Sequence, residues 1–584
     1  MFPSKVPRVF VLASLLVFFL VTYTPFYIYH RGPHAFPAAD SQVAAFTEPA
    51  PTPTPTPTPV PTPAPEPAPA PLQDDAAPTP TVPVPNTGYP PVMVPAGGDG
   101  PDAPGEPDEP AGPDQLSGEV PETQQSEPGA PEMADESQVE GSQNQHVLLQ
   151  PDPKDCPGDL EFLARASVRL ELTPRLRYTR RRIQPVFSSQ VDRDEVVNIS
   201  EPIFMNEVEV DLWDCWDVPV PESPPISLHV PKPYPQTTFT YLTFGVATNY
   251  GRLRDSIPEF AHWMSGTGAK LVAVLTDASQ KPGNELQLLE QEFEDAGINA
   301  TLVKPIDEAF TTSQNHFTVL IDMIKYGSQD TQWYGLLDDD TFFPSLKPLS
   351  DALATVDHRS DAYVGTLSED FTAVRNFGFM AFGGAGAYLS PSLARKLGDQ
   401  ASKCIAEATS PEGDIIIRDC VYTNSKAKLT ILPGLYQQDM KHDVSGFFEG
   451  GLRPLNLHHW KSWYFEPVEK MAKAADFCGD CFLQRWRFGT DTVLSNGFSI
   501  ATYRDGLETV DLQSVEGTWE RADRDYDFSI GPLRRPYTPE QKRSYRLKDV
   551  EVTSKGDLRQ LYILPGNPDV GELDEVVELI WENH

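Results

Sequence analysis

Apolar residues fall into two periods along the chain between residues 236 and 340. Short, unbroken apolar runs occur at 239–248 (FTYLTFGVAT), 270–276 (KLVAVLT), 298–304 (INATLVK) and 333–337 (WYGLL). Between them lie 254–264 (RDSIPEFAHWM), 284–296 (NELQLLEQEFEDA) and 315–326 (NHFTVLIDMIKY), where apolar positions recur at helical spacing. Four strands alternating with three helices predict parallel crossovers. The expected core is therefore an α/β sheet of Rossmann-like, doubly wound type, assigned to residues 236–489. Past 490 the pattern turns strand-like again (GFSIATYRDG, VDLQSVEGTWE, YRLKDVEVTS, QLYILPG), which predicts a small β-rich appendage over 490–584. Residues 151–235 form a flanking region, whose RLRYTRRR stretch reads as a solvated strand face or, as the alternative, a grip for an acidic partner.

The amino-terminal quarter follows neither period. Residues 9–29 are uncharged and mostly apolar, 21 positions in all, and about 20 span a bilayer as a helix. Lys5 and Arg8 precede them, and no Lys or Arg occurs from Gly32 to Pro153. This asymmetry predicts a cytosolic tail (1–8), a transmembrane signal anchor (9–29) and a luminal remainder. A cleaved signal peptide ending near Ala38-Ala39 would reach the same compartment. Every second residue from Pro51 to Pro71 is proline, so that stretch lacks half its backbone donors and defaults to polyproline II. The Pro-rich, acidic composition of 30–150 predicts a disordered stem.

The net charge is −38, and 19 acidic residues of the cation-free stretch supply half of it. No basic face is left for nucleic acid. Six cysteines in a secretory compartment allow up to three disulfides. Local spacing favours Cys404–Cys420 and Cys478–Cys481, the latter as a structural C-x-x-C. Asn198-Ile-Ser and Asn299-Ala-Thr are N-glycosylation sequons that fit the same compartment.

The fourth strand runs straight into Asp338, Asp339 and Asp340. In doubly wound sheets ligands bind beyond the carboxyl ends of the strands, which is where this triplet falls. A divalent cation would relieve the repulsion among the three carboxylates, and hard oxygen ligands suit Mg²⁺ or Mn²⁺. Gly383, Gly384 and Gly386 permit close backbone approach to a ligand. Asp414 opens an apolar run, His458 and His459 end one, and Trp460 and Trp463 read as core or as stacking faces for a sugar. Neither a dinucleotide fingerprint nor a P-loop is present.

The ordered motifs TFGVATNYGRLRDSIPEFAHW, VLTD, WYGLLDDDTFF, FGGAGAYLS, PEGDIIIRDC and LPGLYQQDMKHDVSGFFEGGLRPLNLHHW resemble the Fringe-like β-1,3-glycosyltransferases, most closely their fungal and plant branch. They span roughly 240–465. The resemblance implies a GT-A fold, a UDP-sugar donor, Mn²⁺, and a type II Golgi membrane enzyme acting on a glycan or glycoprotein. Carried over by position, Asp340 and His459 would bind the metal, with His458 as a rival. Asp338 and Asp339 would contact the donor ribose or sugar, while Asp277 and Arg254 would lie near the nucleotide. Gly383, Gly384 and Gly386 would frame the donor sugar, and Asp414 would be the general base. The chain departs from the animal Fringe pattern at Glu412-Gly413-Asp414 and at the adjacent histidine pair. Two other classes remain open on the residues alone. One is a non-catalytic carbohydrate-binding or wall-associated surface protein, and the other is a metal-dependent hydrolase.

Overall fold

The structure is a computed structural model, and it describes residues 156–583 apart from 157 and 217. The tail, anchor and stem expected over 1–150 lie outside the described residues. Among the described residues no helix is long and apolar enough to cross a membrane.

Seven strands build the sheet that carries the site: β1 (Leu242–Thr248), β2 (Lys270–Leu275), β3 (Asn299–Val303), β4 (Trp333–Leu336), β5 (Tyr363–Gly365), β6 (Ala387–Leu389) and β7 (Leu429–Ile431). Their order is β7-β5-β6-β4-β1-β2-β3. The first four are mutually parallel, as their alternation with helices predicts. The sheet as a whole is mixed, because β6 runs antiparallel to both β4 and β5. Strand β6 is only three residues long, too short for its period to reveal it.

Strand β1 is buried almost throughout, as a central parallel strand covered on both faces must be. Helices α1 (Tyr250–Arg254) and α2 (Ile257–Met264) follow β1, α3 (Glu285–Asp295) follows β2, and α4 (Thr312–Tyr326) follows β3. A capping box closes the start of α4, with Thr311 and Gln314 each satisfying the other's backbone amide. Its Met323 lies against β1, where a Cβ on Gly245 would stand 2.3 Å from the sulfur. The chain runs β1, β2, β3 toward one edge and then returns to β4 on the far side of β1. That reversal opens a crevice between the carboxyl ends of β1 and β4.

The flanking regions differ from expectation. Arg175–Phe187 pairs in parallel with Asp574–Trp581, from Leu176 opposite Asp574 to Ile183 opposite Trp581. Together the two flanks form a ten-stranded sheet that also takes in Arg485–Phe488. The β-rich end of the chain is thus part of a large sheet rather than a small appendage. The sheet also draws strands from both sides of the divisions at 235 and 489. Arg180 and Arg181 are buried rather than solvated. Arg180 pairs with Asp159 at 2.9 Å and with Glu578 at 3.4 Å. One hydrophobic core joins the two sheets, from Phe244, Trp263 and Phe343 to Trp486 and Trp581.

The disulfides are Cys156–Cys215, Cys404–Cys420 and Cys478–Cys481. The two local pairs agree with the spacing, and Cys478 and Cys481 are fully buried. Asn198 and Asn299 of the sequons are both exposed.

Candidate functional site

Leu337 completes the ladder by donating its amide to the Gly245 carbonyl at 2.9 Å, and the three aspartates follow. Their repulsion is relieved by cationic partners, Arg252 for Asp339 and a shared His458 for Asp338 and Asp340. Asp339 turns inward, accepting from the Thr248 hydroxyl and from Arg252 through Nε (2.7 Å) and Nη2 (2.5 Å). Asp340 accepts the Ser462 hydroxyl at 2.8 Å and faces His458 Nε2 at 3.1 Å. Asp338 keeps about two-fifths of its side chain exposed, between His458 Nε2 at 3.4 Å and His316 Nδ1 at 3.8 Å. Burial pushes the Asp340 carboxyl up, but His458 and His459 outweigh it and hold it well below the usual range.

The two histidines occupy different niches. His458 donates Nδ1–H to the Gln437 carbonyl at 2.7 Å, which turns Nε2 toward Asp340 and Asp338. Burial opposes its positive charge, yet the two carboxylates prevail and raise its pKa well above the ordinary value. His459 has backbone φ of 64°, a left-handed conformation that costs a non-glycine residue about 1–2 kcal/mol. Its Nδ1 meets the Ser462 hydroxyl at 3.1 Å and its Nε2 faces Asp439 at 3.4 Å. Burial, then the charge on His458, lowers its pKa. The ring of Trp463 stacks on it at 3.7 Å and 6°.

Donor atoms of Asp340, His458 and His459 all lie within 4.8 Å of one another. With both Nδ1 atoms engaged, each Nε2 faces a carboxylate, and a metal ion there would take the place of the His458 Nε2 proton. One carboxylate with two imidazoles is a mixed oxygen–nitrogen set of the kind Mn²⁺ accepts. An Nδ1–H bonded to a backbone carbonyl is also the usual support of a metal-ligating histidine.

The glycine segment threads between these groups. A Cβ on Gly384 would stand 2.1 Å from the His458 ring, and one on Gly383 would meet the carboxylates of Asp414 and Asp338 at 2.8 and 2.9 Å. Gly386 adopts φ of 87°, a left-handed turn that favours glycine. Asp414 lies in the first turn of α5 (Gly413–Asn424), where Glu412 is the N-cap and makes no side-chain cap bond. Asp414 therefore does not cap its helix. Its Oδ2 instead accepts the Gly383 amide at 2.8 Å, and its Oδ1 lies 3.5 Å from His316 Nε2.

Two cavities meet here. The crevice at the triplet, of about 560 Å³, is bounded by Thr248, Arg252, His316 and the three aspartates. The second, of about 530 Å³, is bounded by Phe377, Phe382, Lys441 and Arg521. Asp414, Glu412, His459 and Trp463 line both. Trp463 is 38% exposed, whereas Trp460 packs against the core.

Two expected residues stand elsewhere. Arg254 pairs with Glu292 at 2.8 and 2.9 Å on the surface of α3, and Arg252 reaches the triplet in its place. The two are one helical half-turn apart, so only one can face the sheet edge. Asp277 accepts the Tyr250 amide at 2.9 Å and so fixes the start of α1, outside the lining of the crevice. His316, at the beginning of the second turn of α4, was not singled out from the sequence. Its position at the helix start, above the carboxyl edge of the sheet, was the available signal.

Fold and site together define a doubly wound α/β domain with a carboxylate–imidazole centre at its switch point. Residues 281–443 match the family described as Fringe-like, and residues 374–563 match the one described as "Protein of unknown function, DUF604". Over residues 281–443 the chain is thus similar to the Fringe-like family, in agreement with the order of its motifs. No curated protein sequence is significantly similar to the chain. Among solved structures, a mannosyltransferase from Pyrobaculum calidifontis in complex with GDP-Man and Mn²⁺ aligns at 9% identity and TM-score 0.25, over 36% of this chain and 60% of that one. The glycosyltransferase GlyE of Streptococcus pneumoniae aligns at 14% and 0.28, over 41% and 60%. Mouse xyloside xylosyltransferase 1 aligns at 10% and 0.23, over 34% and 85%. The chain thus spans about 60% of the first two. Likeness this partial carries no functional argument.

Proposed function

We propose that the chain is an inverting, metal-dependent glycosyltransferase of GT-A type. It would move a sugar from a UDP-sugar to a hydroxyl of a glycan or glycoprotein acceptor, forming a β-1,3 linkage. The observation that carries the reading is the meeting of Asp340, His458 and His459 in a crevice that shares Asp414 with a second cavity. A transferase needs separate places for donor and acceptor with a base between them, and Asp414 stands on the common wall.

In the transfer, the bond from the anomeric carbon to the diphosphate oxygen breaks and its electron pair leaves with UDP. The acceptor oxygen forms the new bond from the opposite face, and its proton passes to Asp414. A divalent cation held by Asp340 and the imidazoles would neutralise the departing diphosphate. Asp338, the most open of the three aspartates, would contact the sugar or ribose. Asp339 is committed to Arg252 and Thr248, so its part would be to hold Arg252 toward the nucleotide.

A screen of UDP-sugars with the purified protein and Mn²⁺ tests this. Turnover of any donor supports it, whereas glycan binding without turnover favours the non-catalytic carbohydrate-binding alternative. The reading includes a type II Golgi orientation, supported by the 9–29 run and the cations before it. Protease protection of everything after Arg31 in sealed microsomes tests that separately.

A further inference from the structure

Behind the histidines, the turn at 437–439 is held by a buried carboxylate with no part in the reaction proposed above. Glu369 is 3% exposed. Its Oε1 accepts the Gln437 amide at 2.9 Å and its Oε2 accepts the Gln438 amide at 2.8 Å. Two successive amides on one carboxylate pin the peptide plane between them, and Gln438 is thereby kept at φ of 58°. A non-glycine residue adopts that conformation only when its surroundings over-determine it.

Several acceptors of this turn reach the site and the glycine segment. The Gln437 carbonyl accepts Nδ1–H of His458, and the Gln438 side-chain oxygen accepts the His458 backbone amide at 2.5 Å. The Gln437 side-chain oxygen accepts the Ala385 amide of the glycine segment at 3.3 Å. Asp439 faces His459 Nε2 through one oxygen and accepts the Ser368 hydroxyl at 2.5 Å through the other. Ser368 and Glu369 thus grip the turn from one side, and both histidines are set by its other side.

We infer that Ser368 and Glu369 are positioning residues for the metal-binding histidines, locking the 437–439 turn that aims His458 and His459 at Asp340. The inference rests on the metal-site reading above. It follows from the order of contacts: without the carboxylate, the Gln437 carbonyl is free to rotate away from His458, and Nε2 loses its direction toward Asp340. Supports of this kind typically contribute about 10–100-fold to metal affinity.

Mn²⁺ titration of the full-length protein, with free Mn²⁺ followed by electron paramagnetic resonance, tests it without any turnover. Glu369→Gln offers one acceptor and presents an NH₂ to the second amide, so Mn²⁺ affinity should fall about 10–100-fold. Metal-free protein should still unfold in one cooperative transition. Ser368→Ala should weaken Mn²⁺ about tenfold, and Ser368→Thr, which keeps the hydroxyl, should restore the wild-type value. A folded Glu369→Gln protein with Mn²⁺ affinity within about twofold of wild type overturns the inference. If that variant does not fold, the Ser368 pair decides, and unchanged affinity in Ser368→Ala overturns it. Wild-type protein that binds no Mn²⁺ overturns the metal-site reading itself, an outcome distinct from the others.

Discussion

His458 presents Nε2 to Oδ1 of Asp340 at 3.1 Å, whereas His459 is linked to that carboxylate through the Ser462 hydroxyl. The adjacent histidines are therefore unequal, and His458 is the better placed partner of Asp340. The family resemblance alone ranks them the other way. The difference arises because His459 adopts the left-handed conformation and turns its ring onto Trp463.

A chelator should abolish sugar transfer, and Mn²⁺ should restore it. His458→Ala and Asp340→Ala should each cost roughly 100-fold or more in Mn²⁺ affinity, and His459→Ala about tenfold. Calorimetric titration of the variants measures this order. A His458→Ala protein that binds Mn²⁺ as well as wild type would return the ligand role to His459.

Asp414→Asn should retain fold, Mn²⁺ binding and UDP binding, since an amide oxygen can still accept the Gly383 amide. It cannot take a proton, so kcat should fall about 10²–10⁴-fold. Rates at saturating donor with and without acceptor provide the test. Near-normal kcat would leave Asp414 only the task of holding the glycine segment.

Arg252 and Arg254 should part company. Arg252→Ala strips a buried carboxylate of two charged hydrogen bonds, worth about 1.5–3 kcal/mol, and should also raise KM for the donor. Arg254→Ala removes an exposed, solvent-screened surface pair and should leave both stability and KM nearly unchanged. Urea unfolding and donor KM of the two variants decide the matter, and equal effects would undo the distinction.

Burial, and then the charge on Asp439, pushes the Glu369 carboxyl from 4.5 up to about 7, against the two amides that favour its ionised form. The folded protein therefore holds this proton more tightly than the unfolded chain does. Its contribution is fully present below about pH 4.5 and is lost as pH rises through about 7. Relative to Glu369→Gln, wild type should lose about 3 kcal/mol between pH 4.5 and 8. Chemical unfolding of both proteins across that range measures the difference, and a flat difference would refute a raised pKa.

Much of the frame was legible in the sequence because it depends on local pattern. Unbroken apolar runs separated by helical periods predicted the four parallel strands, and the triplet could be assigned to their carboxyl edge without knowing any contact. The disulfides Cys404–Cys420 and Cys478–Cys481 close short loops, so spacing favoured them. What required the tertiary structure depends on residues distant in sequence or on the phase of a single turn. The antiparallel β6 is too brief to show a period. The pairing of Arg175–Phe187 with Asp574–Trp581 joins the two ends of the described chain, and no local signal encodes such a partner. Arg252 rather than Arg254 faces the triplet because of where α1 begins, His316 meets Asp414 because α4 starts above the sheet edge, and Glu369 reaches the histidines only through a turn some seventy residues later. Periodicity determines which face of an element is buried, whereas the meeting of polar side chains is set by the packing of whole elements against one another.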